Sequence, residues 1–205
     1  MSEIKNIILD FGGVIINLDL NKTHLAFQKI GIKSISDELK KDIFSFEAGL
    51  IDENKIRTTF RNEIPQKISD DIFEEAWCEL LRDLPQHRVD FLHSLGKKYP
   101  LYLLSNTNSI HIEHLRKREN GKFDKFEDSF SKIYYSYQMH CRKPDACIFE
   151  KVIDDLSINP QETLFVDDMI DNIETAKQLG FQTWHFDVEK DEITKILDLE
   201  LFGNK

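Results

Sequence analysis

Apolar positions fall into two regimes along this chain. From about Ile4 to Leu9 they cluster, broken at Lys5 and Asn6 and closing on Ile7-Ile8-Leu9, the pattern of a strand covered on both faces. Beyond it the period becomes helical. Ser36 precedes Asp37 and Glu38 as an N-cap with acids in the first turn, and Leu39, Ile43 and Phe44 recur at helical spacing. Ile56 and Phe60 repeat that spacing, and Ser69 with Asp70 opens another helix whose Ile72/Phe73, Ala76/Trp77 and Leu80/Leu81 share one stripe.

From Pro85 onward, helical segments alternate with short apolar runs at Leu101 to Leu104, Lys132 to Tyr135, Thr163 to Val166 and Gln182 to Phe186. That alternation marks a parallel sheet. Pro144 is expected at the first position of a helix through Ile148 and Val152, Gly180 just past a helix beginning near Met169, and the acidic stretch around 189–200 as a terminal helix. The expected fold is α/β: a doubly wound, Rossmann-like core from residues 1–17 and 85–205, with a small α-helical unit, 18–84, inserted after the first strand.

Composition narrows the partners. A net charge of −10 argues against a nucleic-acid partner, which needs clustered Lys and Arg. Cys78, Cys141 and Cys147 form no CxxC pair, and an odd count points away from a disulfide framework and toward a reducing, cytoplasmic setting. The first apolar run is stopped by Asp10, unlike a signal peptide, and no stretch approaches the ~20 apolar residues that span a bilayer.

Candidate chemistry gathers where apolar runs end. Asp10, Ser105 and Asp167-Asp168 each follow one, and Lys143 lies in a loop leading into a helix; in such sheets ligands bind beyond the carboxyl ends of the strands. Each piece alone has an ordinary explanation: Asp10 as a turn former, Ser105 with Asn106-Thr107 as a helix cap, Lys143 as a solvated cation. Together they form a phosphoryl-transfer set, with a carboxylate nucleophile, a hydroxyl donor, a fixed cation and acidic metal ligands. Adjacent carboxylates at Asp167-Asp168 repel unless a cation relieves them, and Mg²⁺ is the ion they suit.

Gly12-Gly13 lets the chain turn tightly enough for Asp10 and a following carbonyl to face one metal ion. Asp171 is expected on a solvated face, and Asn172 as a donor orienting the acidic loop. His111 and His114 lack the Cys or carboxylate partners of a zinc site and are expected at the surface or toward substrate. Phe46-Glu-Ala-Gly49 reads as a helix-breaking loop near the pocket. Asp10-Phe-Gly matches a kinase triplet without the accompanying catalytic and glycine-rich loops, so that match is set aside. A receiver domain would place its acidic pair at the first strand, the reverse of the order here.

The order Asp10, Ser105, Lys143, Asp167-Asp168 resembles the four motifs of the haloacid dehalogenase-like (HAD) hydrolase superfamily over nearly the whole chain. Asp10-Phe-Gly-Gly-Val14, Leu104-Ser-Asn-Thr-Asn108, Arg142-Lys-Pro144 and Asp167-Asp-Met-Ile-Asp-Asn172 are similar to its branch containing bacterial glucose-1-phosphate phosphatases. The helical insert resembles the cap of capped members. The resemblance implies that Asp10 is phosphorylated, that Mg²⁺ is held by Asp10, the Gly12 carbonyl and Asp168 with help from Asp167, and that Ser105, Asn106 and Lys143 hold the phosphoryl group. It also exposes a departure: most HAD phosphatases carry a general-acid Asp two residues after the nucleophile, where this chain has Gly12.

The implied function is a Mg²⁺-dependent phosphatase of a small phosphorylated metabolite. The missing acid suggests a good leaving group such as the anomeric oxygen of a sugar 1-phosphate, with Asp19 as the alternative acid. Two other readings stand beside it. A haloacid dehalogenase would use Asp10 without a metal, and a binding module would keep the pocket without turnover through Gly12.

Overall fold

The computed structural model describes residues 2–203. In chain order its elements are β1 (Asn6–Leu9), α1 (Leu20–Lys29), α2 (Asp37–Glu47), α3 (Glu53–Glu63), α4 (Asp70–Cys78), α5 (Gln86–Leu95), β2 (Leu101–Ser105), α6 (Ser109–Glu119), α7 (Gly121–Glu127), β3 (Lys132–Tyr135), α8 (Ser136–Met139), α9 (Ala146–Leu156), β4 (Thr163–Asp167), α10 (Ile170–Gln178) and β5 (Gln182–His185). All strand pairings are parallel, in the order β3-β2-β1-β4-β5.

Alternation within each strand divides the core between the two sheet faces. Ile7, Leu9, Leu101, Leu103, Leu164 and Val166 join one cluster with residues of α5, α6 and α7, while Ile8 and Phe165 join the other with residues of α9 and α10. Both faces being covered explains why the central strands β1, β2 and β4 are dominated by apolar residues. The register pairs Leu9 with Val166, so Asp10 and Asp167 emerge side by side.

The segment from α1 to α4 builds its own aromatic core. Phe27, Phe60, Phe73 and Trp77 pack together, with Phe60 and Trp77 nearly perpendicular at 5.0 Å between ring centroids. Ser36 and Ser69 cap α2 and α4 as expected, each accepting a bond from a backbone N–H three residues on. A short ribbon joins this segment to the sheet: Asp19 N–H donates to Leu80 C=O, Asn17 N–H to Asp83 C=O and Arg82 N–H to Asn17 C=O.

Three local expectations are corrected. The acidic stretch near the C-terminus forms two 3₁₀ turns, Ile193–Asp198 and Glu200–Phe202, instead of an α-helix. Ile193 and Ile196 are buried three residues apart, the spacing that eclipses on a 3₁₀ turn, and Glu192 is fixed by Arg88 at 3.0 Å. Pro144 is not the first residue of its helix: Asp145 N–H closes a turn onto Arg142 C=O, and α9 starts at Ala146. His111 is buried, and its Nε2 contacts Trp77 C=O at 3.2 Å beneath the helical insert. Gly180 does follow α10 with a positive φ, as expected. Among the described residues no helix is long and apolar enough to cross a membrane.

Candidate active site

Parallel strands end together, and the chain places its acids and its buried lysine at that edge. Lys143 is buried, and its Nζ donates to Asp10 Oδ1 at 2.7 Å and to Asp167 Oδ2 at 2.6 Å. Asp167 Oδ1 accepts from Met169 N–H and from Asn172 Nδ2, both at 2.8 Å. Asn172 therefore orients the acidic loop as expected, and both oxygens of Asp167 are engaged. Asp10, Asp167 and Asp168 bring carboxylate oxygens within 4.8 Å of one another.

Electrostatics follow from this crowding. Burial first, and then the charges of Asp167 and Asp168, push the Asp10 carboxyl up to about 7 against the downward pull of Lys143. Burial opposes the charge on Lys143, but the two carboxylates outweigh it and hold the ammonium above its ordinary value. Asp168 is raised by burial and then by Asp167. Three carboxylates facing one ammonium leave a surplus of negative charge, the donor chemistry of a hard divalent cation.

The backbone after β1 supports that role. Ile15 and Ile16 N–H both donate to Phe11 C=O and Gly13 N–H donates to Ile16 C=O, all at 2.9 Å, closing the turn that holds Gly12 and Gly13 beside Asp168. Leu18 lies over Gly12, so that a Cβ there would stand 2.8 Å from Leu18 Cδ1. Asp19 is used elsewhere: its carboxylate caps α1 by accepting from Lys22 N–H at 3.0 Å.

Ser105 ends β2 and is buried, while α6 is capped by Asn108, which accepts from His111 N–H at 3.0 Å. Asn106 grips the Lys143 backbone from both sides: its Nδ2 donates to Lys143 C=O at 2.8 Å and its Oδ1 accepts Lys143 N–H at 2.9 Å. Thr107 N–H is taken by Ser136 Oγ at 3.0 Å.

Sequence reasoning missed the pair formed by Glu47 and Arg142. The helix break expected over Phe46–Gly49 is present, since α2 ends at Glu47 and Gly49 has a positive φ, and this terminus is docked on the sheet side, where Glu47 Oε2 accepts from Arg142 Nη2 at 3.0 Å. Arg142 stands beside Lys143 in the motif, which was the available signal, but nothing in the sequence names a partner 95 residues away.

With this geometry in place, three comparisons bear on the chain. Residues 4–180 match the family profile described as haloacid dehalogenase-like hydrolase. The chain is 34% identical over 204 residues to the D-ribitol-5-phosphate phosphatase of Bacteroides thetaiotaomicron, covering 95% of this chain and 99% of that protein. Among solved structures it resembles a HAD family enzyme of the same organism in complex with magnesium and inorganic phosphate, at TM-score 0.84 and 40% identity over 92% of this chain and 96% of that one. It also resembles a HAD-like family hydrolase of Porphyromonas gingivalis, at TM-score 0.87 and 31% identity over the full length of both.

Proposed function

The chain belongs to the haloacid dehalogenase-like hydrolases, and from that membership we propose that it is a Mg²⁺-dependent phosphatase of a phosphorylated sugar or sugar alcohol. The observation that carries this reading is Lys143 joining Asp10 to Asp167, with Asp168 alongside, at one edge of the sheet. The likeness to a D-ribitol-5-phosphate phosphatase over nearly the whole of both chains supports the substrate class.

In this reading Asp10, Asp168 and the Gly12 carbonyl hold Mg²⁺, with Asp167 supporting them. When bound, the ion neutralises phosphoryl oxygens and orients the ester toward Asp10. Lys143, fixed by Asn106, helps keep Asp10 ionised and balances charge on the phosphoryl group, beside Ser105 and the Asn106 N–H. Asp10 attacks phosphorus, the ester P–O bond breaks, and the leaving oxygen takes a proton from water. A second water then hydrolyses the aspartyl phosphate and releases phosphate. Helices between 18 and 84 act as the cap, hinged at the ribbon of 17–19 with 80–83.

Gly12 offers the leaving oxygen no side-chain acid, and Leu18 fills the space beside it. This suits an oxygen that departs readily, such as the anomeric oxygen of a sugar 1-phosphate, whereas the primary oxygen of a polyol phosphate such as ribitol 5-phosphate would depend on water alone for its proton. The test is phosphate release from glucose 1-phosphate, glucose 6-phosphate, ribitol 5-phosphate, an aryl phosphate and a 2-haloacid control, with and without Mg²⁺, beside Asp10→Asn. Phosphate release that needs both Mg²⁺ and Asp10 is expected. Equal rates on the two glucose phosphates count against the leaving-group argument, and phosphate binding without hydrolysis, or halide release without metal, overturns the phosphatase.

A further inference from the structure

Glu47, at the end of α2, is held on the sheet domain through two separate groups. Its carboxylate accepts from Arg142 Nε at 3.2 Å and Nη2 at 3.0 Å, and its carbonyl accepts from Ser136 Oγ at 2.5 Å. Both anchors lead directly to the phosphoryl-binding loops. Arg142 precedes Lys143, whose backbone is clamped by Asn106; Ser136 Oγ, fully buried, accepts Thr107 N–H from the loop that begins at Ser105. Arg142 is stiffened further because its guanidinium lies 4.2 Å from the ring centroid of Phe44, on the same helix as Glu47.

The backbone at this point has little room to move. Gly49 has a positive φ of 64°, and a Cβ there would lie 1.9 Å from Tyr137 C=O, so the helix end rests directly on the chain following β3. Its own carbonyl meets His140 Nδ1 at 3.2 Å. One end of the insert is thus seated on the segment 136–142, and Glu47 is the residue that reaches both catalytic loops from there.

We infer that Glu47 is a positioning residue: it reports the seating of the helical insert to Lys143 through Arg142 and to the Ser105–Thr107 loop through Ser136, so that the phosphoryl-binding groups reach their working geometry only when the insert is docked. This rests on the phosphatase reading for its catalytic consequence, but the mechanical coupling does not. Misplacement of a catalytic group by about 1 Å costs on the order of 100-fold in rate. Loss of Glu47 should therefore appear in the transition state more than in substrate binding.

The experiment compares the Mg²⁺-loaded full chain with Glu47→Ala, Arg142→Ala, the double variant and Glu47→Gln. Expected for Glu47→Ala is a fall in kcat of roughly 10- to 100-fold with KM and inhibition by inorganic phosphate unchanged, and inhibition by orthovanadate, a mimic of the five-coordinate transition state, weakened in parallel with kcat. The double variant should be no worse than the poorer single one, because the pair acts as a unit. Glu47→Gln, which retains an acceptor for Arg142, should lie between. A fall in kcat with vanadate inhibition unchanged indicates fewer folded molecules and overturns the inference, as does a rise in KM and phosphate inhibition constant at unchanged kcat.

Hydrogen exchange provides a readout independent of turnover. Thr107 and Lys143 amides should exchange faster in Glu47→Ala while those of β1 keep their protection. Unchanged exchange at both amides overturns the coupling. If the wild type hydrolyses no phosphomonoester, the phosphatase reading has failed, and exchange still decides the coupling.

Discussion

Gly13 and Asp168 meet with no room for a side chain between them: a Cβ on Gly13, whose φ is +75°, would stand 2.8 Å from Asp168 Oδ2. Ala at this position would combine an unfavourable backbone region, costing about 1–2 kcal/mol, with displacement of a carboxylate proposed to hold the metal. Gly13→Ala is expected to weaken Mg²⁺ affinity at least about 10-fold while the protein still folds. Calorimetric titration with Mg²⁺ checks this, and wild-type affinity would show that Asp168 is not needed where it stands.

Lys143 is the ammonium bonded to both Asp10 and Asp167. Lys143→Met leaves two buried carboxylates without it, and removing one partner of a buried pair costs about 3–5 kcal/mol. Stability measured by urea denaturation should fall by that order, with part of the loss restored by Mg²⁺. Turnover should drop at least about 10²-fold, as for removal of a charge-stabilising donor. Wild-type kcat in this variant would remove Lys143 from the chemistry.

Mg²⁺ itself should stabilise the fold, by about 2.7 kcal/mol when present at 100 times its dissociation constant. Metal binding needs Asp10 ionised, and burial with the charges of Asp167 and Asp168 raises its carboxyl to about 7 in the metal-free protein. Affinity should therefore tighten as pH rises through 7, with proton release on binding below that pH. Titrations in buffers of different ionisation enthalpy count the protons. A pH-independent affinity between 5.5 and 8 would contradict the assignment.

His111 supplies a stability switch of opposite sign to Asp10. Burial lowers its imidazole to about 4, so between pH 6.5 and 4 the unfolded chain binds the proton more readily than the folded one. Stability from this group is complete above 6.5 and declines as pH falls to 4, by about 3 kcal/mol in all. Asp10, raised instead of lowered, favours the folded state as pH falls below 7. The difference between wild type and His111→Gln isolates the histidine: their urea midpoints should converge on acidification. A constant gap from pH 7.5 to 4.5 would show that His111 is not buried neutral.

Features set by neighbours in sequence were legible in advance. Ser36 and Ser69 cap helices because a hydroxyl three residues before an orphan N–H satisfies it wherever the helix sits. Lys132 to Tyr135 reads as a strand and is one, because its pattern suits a pleated, half-buried surface. The grouping of Asp10 with Asp167 and Asp168 was also readable, since parallel strands terminate on one edge and each acid directly follows an apolar run.

Tertiary structure decided what depends on contacts between distant segments. Pro144 fits a helix start by local rule, yet the turn onto Arg142 comes first; the acidic stretch could have been helical, yet packing of Ile193 and Ile196 and the hold of Arg88 on Glu192 make it 3₁₀. His111 looks like a surface histidine until Trp77 from the insert covers it. Glu47 and Arg142 carry no mark of each other in sequence. Local propensity acts over a few residues, whereas burial and charge pairing follow distance in space, so the chain specified its strands, many of its helices and its acids at the strand ends, and the docking of the insert decided pairings such as Glu47 with Arg142 and Trp77 with His111.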